Sequence, residues 1–241
     1  MDLFAQQWGT YRAVVEHDLM EHRAIAAATA AVLEEWLARR SPADPAAQMV
    51  DLGCGDLAQL APLLRRLPLG AYTGLDLTPQ VLPLAQRALG PVTYPCKWIE
   101  ADLLGWASDG SCDGSRDGAP QVDIIHSAFA IHHLSEQEKQ QCLEALRGRI
   151  APGGLFIWVD VFRNPGESRE AYLQRYQARI ASSWPQLSEQ QKEQVSSHLA
   201  ACDHPADRLA IAELAEATGW RWRWVWSGSH QAEAMAVLTT A

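Results

Sequence analysis

The stretch MVDLGCGDLAQL, residues 49–60, decides the fold of this chain. An apolar run that contains Asp51 leads into Gly53-Cys54-Gly55, the pattern of a buried strand followed by a tight ligand-binding turn. The third glycine of the dinucleotide-binding pattern G-x-G-x-x-G is absent, because Ala58 stands in its place. The loop therefore predicts a bound ligand and leaves its identity open.

The bulk composition limits the classes of function. The chain has 241 residues and a formal net charge of −9, which fits one large α/β domain and disfavours nucleic acid as a partner. Five cysteines without a C-x-x-C pair predict neither a zinc site nor disulfides. The N-terminus lacks a basic signal segment, and the apolar residues 24–33 are too few to span a bilayer. We therefore expect a cytoplasmic protein that does not enter a membrane.

Predicted strands and helices alternate from residue 48 onward. Apolar runs predict strands at 48–53, 71–77, 92–100, 122–130, 155–161, 220–226 and 231–239, the last two joined by a short turn. Helices are expected at 11–40, 57–67, 78–89, 135–150 and 207–218. This order predicts an α/β fold with a Rossmann-like, doubly wound sheet of seven strands, mostly parallel, with an antiparallel C-terminal strand.

Two segments interrupt the alternation. Residues 168–200 are predicted to form two polar helices, so 163–206 has the pattern of an inserted helical cap. Residues 108–118, SDGSCDGSRDG, predict a mobile surface loop, because they lack the alternating oxygens and terminal glutamate of an EF-hand.

Acidic residues lie at the ends of consecutive predicted strands. Asp76 closes the second strand, where a carboxylate accepts hydrogen bonds from both ribose hydroxyls of a nucleoside. Asp102 ends the third strand, within reach of an adenine amino group. Because the carboxyl ends of parallel strands share one edge, these acids and the glycine loop predict a single nucleoside site.

These motifs resemble the class I S-adenosylmethionine-dependent methyltransferases, particularly their small-molecule branch. VDLGCGD, GLDLTPQVL, EADLL, VDIIHSAFAIHHL and APGGLFIWVD are similar to successive motifs of that family, over about residues 48–239. The resemblance implies one methyltransferase domain over 1–241 that uses S-adenosylmethionine. It implies cofactor-binding roles for Tyr11, Asp51, Gly53, Cys54, Gly55, Asp76, Leu77, Asp102, Leu103 and Ser127.

One position in the loop departs from the family pattern, whereas the acidic residues around the loop agree with the family's cofactor. The family often has glycine where Leu57 stands, so we expect a slightly different turn, since leucine adopts positive φ less readily. Asp51 would repel a pyrophosphate and suits the cationic sulfonium and ammonium of S-adenosylmethionine. Asp56 adds to this acidic character at the head of the next predicted helix. A nicotinamide dehydrogenase is therefore disfavoured.

Methyl transfer mainly requires alignment in a dry pocket, with a base where the acceptor begins protonated. His132 and His133, just past the fourth strand, are the candidate catalytic bases, whereas His126 within the strand is expected to be a hydrogen-bonded core residue. We predict no metal, because adjacent histidines at a strand end do not readily ligate one ion and no H-x-E or H-E-x-x-H pattern is present.

The remaining site predictions follow from the family resemblance. The leading segment, 1–44, is expected to close over the cofactor, and the cap 163–206 to cover the substrate. Candidate substrate residues are Asp160, Arg163, Tyr172, Tyr176 and His204, with Trp184 a further candidate to line the cap. In WRWRWVW, residues 220–226, the tryptophans are expected on one strand face, packed beneath a helix or forming a dimer or base-stacking surface.

The sequence therefore favours S-adenosylmethionine-dependent methyl transfer to a small metabolite, with an oxygen or nitrogen nucleophile, by a monomer or homodimer. Two alternatives stay open. One is a cofactor-binding regulatory protein without transfer activity, and the other is a methyltransferase of protein or RNA.

Overall fold

The computed structural model describes residues 3–108 and 121–240, with side chains from Trp8 onward. The predicted loop 108–118 lies outside the described residues except for its first position, Ser108, which ends a helix.

Seven strands form one sheet with the predicted topology. Their order across the sheet is β3-β2-β1-β4-β5-β8-β7, and a two-residue strand, β6, pairs with the end of β5. The first five strands of this path pair in parallel, while β8 runs antiparallel to both β5 and β7. The strands are β1 (Ala47–Leu52), β2 (Leu69–Asp76), β3 (Cys96–Glu100), β4 (Val122–Ala128), β5 (Ile150–Arg163), β6 (Ala206–Asp207), β7 (Trp220–Ser227) and β8 (Glu233–Thr240).

Helices cover both faces of this sheet, as the alternation predicts. They are α1 (Leu3–Glu16), α2 (His22–Ala38), α3 (Ala61–Leu64), α4 (Leu82–Leu89), α5 (Leu103–Ser108), α6 (Glu136–Arg149), α7 (Arg169–Ser183), α8 (Glu189–Cys202) and α9 (Arg208–Ala217). Capping boxes begin α6 at Ser135 with Glu138 and α8 at Ser188 with Gln191. Among the described helices, none has both the length and the apolar character needed to cross a bilayer.

Three predicted helices differ from the observed ones. The expected helix 11–40 is two helices, because Asp18 and Glu21 adopt left-handed backbone between them. The expected helix 57–67 contracts to α3, since the turn after the glycine loop continues through residue 57. The expected helix 78–89 begins only at Leu82.

The core divides into a cluster on each sheet face and a third cluster beneath α7 and α8. A β-bulge in β7 shifts the register between Trp224 and Trp226. Trp220, Trp222 and Trp224 therefore pack on the face that α9 covers, whereas Trp226 packs against the opposite cluster. The prediction that all four tryptophans share one face was wrong, because strict alternation ends at the bulge.

Candidate active site

The glycine loop that follows β1 has the backbone of a tight ligand-binding turn. Gly53 and Gly55 have φ of 72° and 55°, which glycine adopts without steric cost. A Cβ on Gly53 would lie 2.5 Å from the Ala130 Cβ, so the β4 end packs directly against this position. A Cβ on Gly55 would meet only the Tyr11 hydroxyl, at 4.0 Å. Gly53 is thus required by packing, and Gly55 presents its bare backbone toward Tyr11.

Leu57 adopts a left-handed backbone conformation. Its φ is 60°, while its side chain is buried in the core beside α3. The burial of an apolar side chain offsets a conformational cost of about 1–2 kcal/mol.

Replacing Leu57 with glycine is expected to destabilise the protein although it relieves this backbone strain. The lost side chain costs about 2–5 kcal/mol, and the relieved strain returns about 1–2 kcal/mol. Leu57→Ala loses the same packing and keeps the strained φ, so it should be less stable than Leu57→Gly by about 1 kcal/mol. Urea unfolding of both variants measures this order, and a more stable Leu57→Ala would contradict the left-handed assignment.

Asp76 connects the end of β2 to the glycine loop. Its two carboxylate oxygens accept hydrogen bonds from the backbone N–H groups of Gly55 and Thr78, at 2.9 and 2.8 Å. Burial raises the pKa of Asp76, and these two hydrogen bonds counteract the shift. Each carboxylate oxygen keeps a second lone pair for a ligand hydroxyl. Asp76 therefore fixes the loop and retains the capacity to bind a ribose.

The ends of β2 and β3 provide the other predicted nucleoside contacts. Leu77, directly after Asp76, is an apolar side chain that is 70% exposed. The exposed Asp102 accepts the Gly105 N–H at 2.6 Å at the start of α5, and Leu103 packs partly buried in the same turn. The exposed apolar surface of Leu77 suits an adenine ring, whereas Asp102 holds the helix that borders the same edge.

Asp51 does not face solvent but anchors a buried polar network below the loop. Its oxygens accept the Tyr72 hydroxyl at 3.0 Å and approach the His126 Nδ1 at 2.7 Å. All three side chains are almost fully buried. His126 is therefore the hydrogen-bonded core residue that the sequence predicts, and Asp51 contributes negative charge beneath the cavity.

One cavity joins the glycine loop to the N-terminal helices. Its walls include the predicted cofactor residues Tyr11, Asp51, Gly53, Cys54 and Gly55, together with Asp56, Leu57, Ala58, Gln59, Leu60, His22, Ile25, Ala26, Thr29, His126, Ala128 and Phe129. Burial raises the pKa of the Cys54 thiol, so this cysteine stays protonated and uncharged. Ser127 lies outside these walls, because its buried hydroxyl donates to the Leu52 carbonyl at 3.0 Å and ties β4 to β1.

His22 is a functional candidate to which the sequence predictions assign no role. It begins α2, lies 5.5 Å from the Phe129 ring between centroids, and has a buried Nδ1 without a hydrogen-bond partner. Burial lowers the pKa of His22, so its imidazole is neutral at neutral pH. Phe129 itself has a φ of 54° at the end of β4, a conformation typical of functional sites. No sequence motif marks His22, which precedes the glycine loop by a whole helix.

The structure does not place the predicted bases His132 and His133 in the cavity wall. The short 3₁₀ turn Ile131–His133 carries the chain away from the glycine loop, and His132 Nδ1 lies 2.5 Å from the Asp160 Oδ1. Burial opposes protonation of His132, yet the Asp160 carboxylate raises its pKa overall. Burial and the neighbouring His132 lower the pKa of His133 to about 4.

The no-metal prediction rests on the premise that adjacent histidines do not readily ligate one ion. This premise fails, because His132, His133 and Asp203 bring ligand atoms within 4.8 Å of one another.

The predicted substrate residues hold the inserted segment to the sheet. Tyr172, Tyr176 and Trp184 are buried in the third core cluster, and the Tyr176 hydroxyl donates to Glu233 Oε1 at 2.8 Å. These aromatic side chains pack with Val161 and Ala232 and are not among the residues that line the cavity, so their substrate role stays a prediction.

The other substrate candidates also have structural partners. Asp160 is fully buried between His132 and the Trp158 indole, which donates at 3.0 Å. Arg163 donates to the carbonyls of Pro205 and Glu167, at 2.7 and 2.6 Å. The exposed His204 bonds the His132 carbonyl through its backbone N–H.

Comparison with known proteins agrees with this architecture. Residues 50–156 match the family model described as a methyltransferase domain. The chain is similar to trans-aconitate 2-methyltransferase of Azoarcus sp. (strain BH72), with 33% identity over 131 residues, which cover 54% of this chain and 45% of that protein. The chain thus spans about half the length of the curated relatives it matches.

Two solved structures share the fold over almost their whole length. One is a chain in the complex between the Haloferax volcanii Trm112 methyltransferase activator and a methyltransferase, with TM-score 0.57, 16% identity, and coverage of 100% of this chain and 98% of that one. The other is a TehB-like methyltransferase from Corynebacterium glutamicum, with TM-score 0.51, 15% identity and coverage of 94% and 97%. At this identity they show the fold alone. The match of residues 50–156 to the methyltransferase-domain model and this shared fold make the chain similar to the class I S-adenosylmethionine-dependent methyltransferases.

Proposed function

We propose that this chain transfers a methyl group from S-adenosylmethionine to a small metabolite through an oxygen or nitrogen nucleophile of the acceptor. The observation that carries this proposal is the continuous wall formed by the glycine loop, Tyr11 of α1 and Phe129 at the end of β4. Helices α1 and α2 cover this cavity, and α1 is tied to the inserted segment by a 2.6 Å hydrogen bond from Thr10 to Gln194. Such a covered cavity favours a small acceptor.

The cavity residues fit S-adenosylmethionine in shape and charge, together with the ends of β2 and β3. These ends carry Asp76, Leu77, Asp102 and Leu103, which are not among the residues of the cavity wall. Gly55 leaves room at the loop, Asp76 offers acceptors for a ribose, and Leu77 offers apolar surface for an adenine. When bound, the cofactor supplies an electrophilic methyl group on a sulfonium. The acidic residues Asp51 and Asp56 line the same cavity and suit cationic groups, while they disfavour a pyrophosphate. Closure by residues 1–44 would exclude water, and 163–206 would support that closure through α8.

We assign His22 the role of general base. Its neutral ring and unpartnered Nδ1 leave it free to accept a proton from an acceptor hydroxyl or ammonium group. His132 lacks that freedom, because Asp160 and the surrounding core hold its ring.

His22→Asn is expected to lower kcat by about 100- to 10,000-fold while cofactor binding stays within about threefold. The wild-type kcat should keep its plateau value down through about pH 6.5 and fall only at lower pH, since a base must be neutral and burial holds the His22 pKa below its usual value. Methyl-transfer assays over a range of pH values measure kcat for both proteins. A matched His132→Ala variant separates the two candidate bases. Normal turnover in His22→Asn with slow turnover in His132→Ala would identify His132 as the base instead of His22.

Labelled methyl transfer tests the proposed activity. Wild-type chain would be incubated with methyl-labelled S-adenosylmethionine in three separate reactions. One contains a filtered metabolite extract, one total RNA and one protein. We expect label only in the metabolite arm, as the net charge of −9 disfavours RNA. The similarity to trans-aconitate 2-methyltransferase adds support for a small acceptor with an oxygen nucleophile.

The other arms distinguish the rival functions. Label in RNA or protein would overturn the small-molecule acceptor in favour of a macromolecular one. Cofactor binding without label in any arm would favour a regulatory, non-transferring protein.

A further inference from the structure

We propose that His132, His133, His198 and Asp203 form a binding site for one divalent transition-metal ion of the zinc class. The site is separate from the cofactor cavity, and its inference does not depend on methyl transfer. It joins the 3₁₀ turn after β4 to the end of α8, and so it would tie the inserted segment to the sheet.

Three imidazole nitrogens converge on one carboxylate oxygen. His132 Nε2, His133 Nδ1 and His198 Nε2 lie 3.5, 3.7 and 3.7 Å from Asp203 Oδ1. Ligand atoms on neighbouring corners of a tetrahedron with bonds of about 2.1 Å lie about 3.4 Å apart. Each of these three separations is close to the length of one such edge, the three that meet at Asp203 Oδ1, and exceeds ordinary hydrogen-bond lengths.

The oxygen at the centre of this group has no hydrogen-bond partner. Asp203 is 5% exposed, and its Oδ1 is buried and unpaired despite the three nearby rings. A buried carboxylate oxygen without a donor costs free energy, and a bound cation would satisfy it. This orphaned acceptor indicates a ligand more directly than the presence of the histidines alone.

The surroundings of His132 have the arrangement that supports metal-bound histidines. Asp160 holds His132 Nδ1 at 2.5 Å, which leaves Nε2 directed toward Asp203. Asp160 is fixed in turn by the His132 and Val161 backbone N–H groups and by the Trp158 indole, at 3.0, 2.9 and 3.0 Å. The ring orientation is thus set before any ion arrives.

The donor set selects the class of ion. Three imidazoles and one carboxylate suit zinc and related ions, whereas calcium and magnesium prefer oxygen ligands. His132, His133 and Asp203 already bring ligand atoms within 4.8 Å of one another, whereas the half-exposed His198, whose Nε2 lies 3.7 Å from Asp203 Oδ1, would have to move to supply the fourth ligand. Four protein ligands define a closed, structural site.

Cobalt substitution tests the site directly. The chain would be purified without a histidine tag, treated with chelator and titrated with Co²⁺, with calorimetry and visible spectroscopy as readouts. We expect one equivalent bound per chain, with the intense visible bands of tetrahedral cobalt. We also expect displacement by Zn²⁺ and a higher unfolding midpoint with Zn²⁺ but not Mg²⁺.

Substitutions decide whether these four residues are the ligands. His133→Ala and His198→Ala, both at partly exposed positions, should remain folded and lose the tetrahedral bands, as should Asp203→Asn. The exposed His230→Ala is the matched control and should bind cobalt like wild type. Absence of the bands in wild type, or equal binding in all four variants, would overturn the site. Tetrahedral binding retained in His198→Ala would overturn the four-ligand assignment.

Discussion

Replacing Asp76 with alanine is expected to abolish the thermal stabilisation that S-adenosylhomocysteine gives the wild-type chain. The change removes the proposed acceptor for the ribose and frees the Gly55 and Thr78 N–H groups that shape the loop. Loss of charge-assisted hydrogen bonds and of loop geometry should weaken binding at least about 100-fold. Since a ligand stabilises only the state it binds, the unfolding midpoint should no longer rise with ligand concentration.

A surface acid provides the matched control for this experiment. The exposed Asp44 accepts the Ser41 N–H at 2.9 Å in the turn before β1, remote from the cavity walls. Asp44→Ala should keep the full ligand-dependent shift. Unchanged S-adenosylhomocysteine binding by a folded Asp76→Ala chain would contradict the assignment of Asp76 as the ribose acid.

Replacing Glu233 with alanine should cost about 3–5 kcal/mol of unfolding free energy. Its carboxylate is fully buried and accepts two hydrogen bonds from Arg179, at 2.6 and 2.9 Å, and one from Tyr176. Removing it leaves the buried guanidinium uncompensated. For a chain of this size, that loss lowers the unfolding midpoint by roughly 10 °C.

The double variant Arg179→Met/Glu233→Met tests the reason for this loss. With both charges removed, most of the stability should return, because apolar side chains replace the pair in the core. The exposed Glu34–Arg66 pair is the control, and Glu34→Ala should cost at most about 1 kcal/mol. Urea unfolding of the cycle measures the coupling, and a double variant less stable than Glu233→Ala would contradict the explanation.

The fold and the position of the glycine loop can be predicted from the sequence because both depend on local patterns. Alternating strands and helices predict a mostly parallel sheet with helices on both faces, and acids at the ends of neighbouring parallel strands meet at one edge. The sequence predictions that failed also have physical reasons. Leucine is disfavoured at positive φ, yet the burial of Leu57 offsets the strain. The tryptophans alternate regularly in the sequence through Trp226, but the β7 bulge ends that alternation in the structure.

The parts of the site that the sequence missed depend on distant residues. His22 reaches the cavity from α2, with no motif to connect it with Phe129 more than 100 residues later. An aromatic face on α7 has the same sequence pattern whether it covers a substrate or packs in the core. The hydrogen bond from Tyr176 to the distant Glu233 shows that this face packs in the core. The ring nitrogens of His132 and His133 meet Asp203 because α8 folds back over the end of β4.

The central claim is that the glycine loop holds an S-adenosyl cofactor and not a pyrophosphate-containing dinucleotide. Calorimetric titration of the wild-type chain with S-adenosylhomocysteine and, separately, with NAD⁺ tests it most directly. We predict saturable binding of one S-adenosylhomocysteine per chain and no measurable heat from NAD⁺. Saturable binding of NAD⁺ without binding of S-adenosylhomocysteine would contradict the claim.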